Sequence, residues 1–418
     1  MNIAQALTQN GTGLLSIAGN STGSWGIVTN GSITGAGGAI SLIGNTTSTE
    51  GIRLNTLINS NGGNVSISGT SGGTGIWMVN GGGVDTGGGD LSIIGRNTAS
   101  ALWGFLLGVN SGGLTTSGGD LSIEGQTAAV GSSSIGLRRD ISTGTRAITL
   151  LGDRLITIGT LANPVTLSGG NIEITDTDAI DLQGATLQSS GSQVTLNSDR
   201  GADGGGTISL TDSGLTTTNG ATIALTGNQI NLLGSGTSFT GSGGSLALTA
   251  ALDTNDLSLA FDGLGQPFAG GGFERIEFGQ STSQGKVNLS GVSSLTIADP
   301  FTLWSPQADL VLNTTLIGID DASLTIEGSG NTTTLSADLI TNGGEIYFND
   351  SIILGTDVIL DTTNAGSVPI GADITITGTI AASTPGGQSL TLNAGDGSLN
   401  LGGIDATNLL NNLTLIGG

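Results

Sequence analysis

One short pattern, aliphatic-Ser-aliphatic-x-Gly, returns along this chain at nearly even intervals, and it constrains the fold more than any other feature. It reads Leu15-Ser16-Ile17-Ala18-Gly19, Ile40-Ser41-Leu42-Ile43-Gly44, Val65-Ser66-Ile67-Ser68-Gly69, Leu91-Ser92-Ile93-Ile94-Gly95 and Leu121-Ser122-Ile123-Glu124-Gly125. The first positions lie 25, 25, 26 and 30 residues apart, and Ile148-Thr149-Leu150-Leu151-Gly152 follows 27 residues later with threonine for serine. Self-similarity at such a period marks an array of stacked units, none of which buries its apolar face alone.

The residues around the motif define the unit. A glycine pair precedes the middle copies, at Gly37-Gly38, Gly62-Gly63, Gly88-Gly89 and Gly118-Gly119. Such pairs suit tight corners rather than strand interiors. Between copies lie two further apolar pieces: Trp25-Gly26-Ile27-Val28 with Ile33, then Ile52-Arg53-Leu54 with Leu57-Ile58, then Ile76-Trp77-Met78-Val79 with Val84. Three short strands separated by corners make one coil of a three-sided solenoid. Alternation in Ile-Ser-Leu sends both aliphatics to one face and serine to the other, which predicts inward Leu/Ile/Val ladders and an outward column of Ser16, Ser41, Ser66, Ser92 and Ser122. Apolar spacing of helical period is not sustained anywhere, so the expected class is all-β, a parallel β-helix with almost no helix.

Residues 1–160 are expected to form regular coils of about 25–30 residues, and 161–418 a degenerate continuation. There the strand unit persists as Val165-Thr166-Leu167, Val194-Thr195-Leu196, Ile208-Ser209-Leu210, Ile223-Ala224-Leu225, Leu324-Thr325-Ile326, Ile374-Thr375-Ile376 and Leu413-Thr414-Leu415. The stretch 253–285, where Phe261, Phe268, Phe273 and Phe278 gather around Gly270-Gly271-Gly272, reads as an irregular excursion or coil, too short for a core of its own. Stacked strands about 4.8 Å apart would build a rod on the order of 80 Å long.

Composition narrows function. Of 418 residues 77 are glycine and 6 proline, 3% are aromatic and 10% charged. The apolar 36% and a mean hydropathy of +0.22 still supply a core, which argues against disorder. Nine basic residues face 32 acidic ones, for a net charge of -23, so nucleic acid and anionic membrane surfaces are unfavourable partners. No stretch reaches the ~18 consecutive apolar residues expected of a membrane span, and membrane insertion is not expected. With no cysteine and no histidine, thiolate chemistry, disulfides and the commonest general base and metal ligand are all removed. Met1-Asn2-Ile3-Ala4-Gln5 has no basic segment followed by an apolar one, and the repeat starts at once without a cap. The chain is therefore read as an excerpt of a longer protein whose export signal lies elsewhere.

These repeats resemble the passenger region of filamentous-haemagglutinin-like exoproteins of two-partner secretion systems. The resemblance is carried by the Gly-Gly-x-aliphatic-Ser-Ile units, by Ile340-Thr341-Asn342-Gly343-Gly344-Glu345-Ile346, and by Phe273-Glu274-Arg275-Ile276-Glu277-Phe278-Gly279 followed by Val287-Asn288-Leu289-Ser290-Gly291. It implies a right-handed β-helix, export through an outer-membrane secretion partner, an extracellular or cell-surface location, and adhesion to a glycan or cell-surface receptor. The family's Asn-Pro-Asn secretion signature is not found; Asn163-Pro164-Val165 does not match it.

No catalytic or cofactor-binding residue is assigned, and the chain is not expected to be an enzyme. Asp176, Asp178 and Asp181 form the densest acidic cluster, with Asp320-Asp321 a second. Turn formation is the expected role. The alternatives are a carbohydrate-active β-helix enzyme using paired carboxylates, and calcium ligation in a calcium-stabilised assembly module. Asp90 and Asp120 fall at equivalent places one coil apart, with Asn64 a coil earlier; stacked directly they repel unless solvated, splayed by the longer coil or bridged by a cation, which makes them calcium candidates too. Trp25, Trp77 and Trp103 recur at comparable places; core or corner packing is expected, with sugar stacking the alternative. Thr216-Thr217-Thr218 and Thr332-Thr333-Thr334 raise an ice-binding alternative, which needs a flat regular threonine array.

Overall fold

The computed structural model describes residues 1–201 and 204–418. Among them there is no helix, and the strands pair in parallel, coil on coil. The architecture is a β-solenoid, with about 17 turns between two compact units, Met1–Ala221 and Thr222–Gly418.

In the first unit a typical coil contains the strands Glu50–Leu54, Leu57–Asn59 and Val65–Ser71, one for each face. Coils superpose in the register the repeat predicts: Ser16 pairs with Ser41, Ser41 with Ser66, Ser66 with Ser92 and Ser92 with Ser122. The aliphatics on either side of these serines turn inward, Val65, Ile67, Leu91, Ile93, Leu121 and Ile123 being essentially inaccessible. On the neighbouring face Ile27, Ile52, Ile76, Phe105, Ile135, Ile156, Ile180 and Ile208 form one continuous inner column. Burying each such side chain is worth roughly 1.5–3 kcal/mol, so the columns supply most of the favourable free energy.

Both glycine positions of the repeat have a steric origin. Gly62 has φ +104°, a corner conformation that side chains oppose. Gly69, the last residue of the motif, points inward where the next face folds back; a methyl there would collide with the Gly75 carbonyl and lie 2.6 Å from Ile76 Cγ1. The fifth position of the motif is thus the point at which two faces touch.

Corners are closed by polar groups turned inward. Ser60, Thr86, Thr116 and Thr143 are buried, one per coil, and each hydroxyl donates to the carbonyl three residues on, at Gly63, Gly89, Gly119 and Arg146. Ser60 and Thr86 also reach the carbonyls of Thr86 and Thr116 in the coil above, both at 3.1 Å. Asparagines form a ladder at another edge: Asn30 donates to Asn2 at 3.0 Å, Asn55 to Asn30 at 2.9 Å and Asn80 to Asn55 at 3.4 Å.

The second unit uses the same plan. Phe301–Trp304, Leu310–Leu312 and Thr315–Gly318 pair respectively with Leu324–Glu327, Thr332–Leu335 and Leu339–Ile340. The stretch 253–285 contributes the strands Leu257–Phe261 and Arg275–Phe278, both in register with neighbouring coils. Its phenylalanines fill the interior: Phe268 lies 5.5 Å from Phe239 and 5.0 Å from Phe278, and Phe278 meets Phe301 edge to face at 4.8 Å. Aromatic bulk does here what Leu/Ile/Val ladders do elsewhere.

Candidate functional site

Asp176, Asp178 and Asp181 do not share a face. Asp176 is 0% exposed. Its Oδ2 accepts from Ser134 at 3.1 Å, and its Oδ1 accepts from the backbone amides of Asp178 at 2.9 Å and Ala179 at 3.3 Å. Gly152 makes room for it, since a methyl there would run into the carboxylate. Burial pushes the Asp176 carboxyl up to about 6, against the pull of those hydrogen bonds. Asp178 is half-exposed, with Arg154 Nη1 at 3.6 Å. Asp181 lies on the strand Ala179–Gln183 between inward Ile180 and Leu182, and its Oδ2 accepts from Gln183 at 2.7 Å. Asp176 therefore serves a corner from the inside, while the other two face outward.

Asp90 and Asp120 do not bridge a void between coils. Asn64 Oδ1 accepts the Asp90 amide at 2.9 Å, Asp90 Oδ1 accepts the Asp120 amide at 3.0 Å, and Asp120 Oδ1 accepts the Ala147 amide at 3.0 Å. Arg146 balances Asp120 at 2.9 Å. The device recurs: Asp140 to Thr166, Asp256 to Lys286, Asp309 to Thr332, Asp338 to Ile359, Asp357 to Ser389 and Asp373 to Ser398, over 2.7–3.1 Å. Each side chain takes up an amide of the next coil, so much of the acidic excess is a set of corner clamps. No group of three or more acidic side chains among the described residues is gathered to hold a metal ion. Thr217 and Thr333 turn inward, which breaks the threonine runs as flat outer arrays.

The tryptophans depart from the expected core or corner packing. Trp25 is 40% exposed, while Trp77 and Trp103 are half-buried on the outside of the solenoid. Trp77 is the outward residue of Thr74–Met78, with Ile76 and Met78 turned in. Directly beneath it in register stands Arg53, whose guanidinium carbon is 4.6 Å from the Trp77 ring centroid; Glu50 is 3.9 Å from Arg53. Above it in register stands Leu106, followed by Gly136. Trp103 lies across Gly136, where a methyl would come within 2.6 Å of ring atom Cε3. Arg138 caps the Trp103 ring at 5.6 Å. A glycine one coil up thus lets an indole lie flat on the outer sheet.

Trp77, Val79, Trp103, Leu106, Gly108, Val109, Asn110 and Arg138 enclose an outward-opening cavity of about 350 Å³. Arg138 is fixed by Nη1, which donates to the Gly159 carbonyl at 2.8 Å and the Leu137 carbonyl at 3.3 Å. Burial pulls its pKa below the ordinary value, with Asp181 opposing; an arginine so placed stays charged. Two aromatic plates, an aliphatic wall and an anchored guanidinium can hold a flat ligand with one apolar side and one polar edge.

The sequence carries traces of this arrangement. Ile52-Arg53-Leu54 aligns with Ile76-Trp77-Met78, which puts Arg53 under Trp77. Trp103 precedes the strand Phe105–Leu107 and Arg138 follows the strand Ile135–Leu137, so no single offset relates them.

Comparison with protein-family models, with curated proteins and with solved structures finds no match. Fold and site define a class alone: a parallel β-solenoid repeat protein with an aromatic and cationic cavity on one outer face.

Proposed function

We propose that this chain is a structural and adhesive segment of a large secreted or surface-exposed bacterial exoprotein of filamentous-haemagglutinin-like type, exported with an outer-membrane partner and meeting other cells, glycans or matrix. The observation that carries the proposal is the division of labour within each coil. Inward strand residues are mostly aliphatic or aromatic, with buried serine, threonine and aspartate at the corners, and together they build the stack, leaving many outward positions free to vary without loss of fold. The aromatic cavity on the outer face fits such contact work.

A carbohydrate-active enzyme has less support, because Asp176 is enclosed with Ser134 while Asp178 and Asp181 face solvent. The test is display. Bacteria carrying the full chain on their outer surface are expected to attach to polysaccharide-coated or cell-coated surfaces more than bacteria holding it in the cytoplasm. Equal attachment by both would overturn the proposal.

A further inference from the structure

We infer that the cavity between Trp77 and Trp103 is a subsite for an acidic saccharide, a pyranose ring bearing a carboxylate. The inference does not depend on where the chain is located or which protein it belongs to.

The walls select the ring. A pyranose has an apolar face of C–H groups and a polar rim, and indoles are the side chains best suited to lie against the former. Trp77 and Trp103 line the space from adjacent coils, with Leu106 in register above Trp77. At about 350 Å³ the space lies at the small end of ligand sites.

Charge selects the carboxylate. Acidic residues outnumber basic ones by 32 to 9 in this chain, yet the cavity is lined by an arginine and by no carboxylate. Arg138 uses Nη1 for the Gly159 and Leu137 carbonyls, and its Nε and Nη2 have no acceptor among the described residues. Asp181, the carboxylate whose charge acts on it, is engaged by Gln183 at 2.7 Å. An anchored guanidinium with spare N–H groups is a ready partner for a carboxylate, which takes two parallel hydrogen bonds from that fork. Asn110 supplies an amide for ring hydroxyls at the same rim. A purely apolar ligand would leave both polar groups unused.

The test uses the full chain and one pair of probes, a galacturonic acid trisaccharide and its methyl ester, titrated calorimetrically and by tryptophan fluorescence. The acid is expected to bind with fluorescence change, more tightly than the ester by about tenfold, and more weakly as salt rises. Arg138→Gln should weaken the acid by about tenfold and leave the ester nearly unchanged, with Arg138→Lys intermediate. Trp103→Ala should weaken both probes by about tenfold, and Trp103→Phe should restore part of the loss. Circular dichroism and melting temperature close to the parent's show that these outward changes leave the solenoid intact. Equal affinity for acid and ester, an Arg138→Gln variant that binds like the parent, or no binding of either probe at about 10 mM would overturn the inference.

Discussion

Asp350 gives the sharpest test of how polar groups are accommodated inside the stack. Its side chain is 1% exposed. Oδ2 accepts from Thr333 at 2.6 Å, while Oδ1 is buried without a partner. Burial raises its pKa from 3.8 to about 6, against the hydrogen bonds from Thr333 and the Ser351 amide. Between those two values the folded chain holds a proton that the unfolded chain has released, so stability falls as pH rises. The contribution is fully present below the unfolded value and is lost as pH passes through the folded one. A gap of about two units at about 1.36 kcal/mol each amounts to on the order of 3 kcal/mol. Asp350→Asn keeps the shape and abolishes the titration. The variant is expected to be more stable than the parent by up to about 3 kcal/mol at about pH 7.5 and to match it at about pH 4. Urea unfolding followed by tryptophan fluorescence at both pH values measures this, with Trp304 reporting from the same unit. Asp176 and the other carboxylates act equally on both proteins, so the difference isolates one group. A constant offset between the two at every pH would refute the reasoning.

Two further changes test the repeat itself. Gly69→Ala places a methyl against the Gly75 carbonyl and Ile76; with backbone as the obstacle, it should cost about 2 kcal/mol or more in unfolding experiments, whereas alanine at Gly11, which has open space around it, should cost far less. Asp90→Ala should lose about 1 kcal/mol by removing the acceptor for the Asp120 amide, and Asp90→Asn should recover most of it, as Asn64 fills the same role one coil earlier; equal melting temperatures for the Ala and Asn variants would refute the clamp.

The stack was legible because its physics is periodic. Ser16 to Ser122 give the register of one face directly, and the glycine pairs mark its corners. What the residues left hidden were interactions that join coils rather than shape them. Asn30, Asn55 and Asn80 lie 25 residues apart, the same period as the serines, yet asparagine is so common in turns that its spacing reads as loop chemistry instead of a ladder. Asp90 and Asp120 suggest repulsion when only their charges are compared; the backbone amide that makes the stacking favourable leaves no mark in a sequence. Trp103 is harder still. It stands outside the strand Phe105–Leu107, and its place is set by an absent side chain at Gly136, one coil away. The interior of 253–285 was obscured for a related reason: Phe239, Phe261, Phe268 and Phe278 meet across coils, and unlike Leu/Ile/Val rungs they do not fall at equal offsets.

The corner clamps have a direction. In each pair the acceptor belongs to the earlier coil and the amide to the later one, from Asn64 and Asp90 through to Asp373 and Ser398. A chain that emerges from its amino end therefore presents the turns that carry these clamps with acceptors already in place, and the closing entropy of each such turn is met one layer at a time.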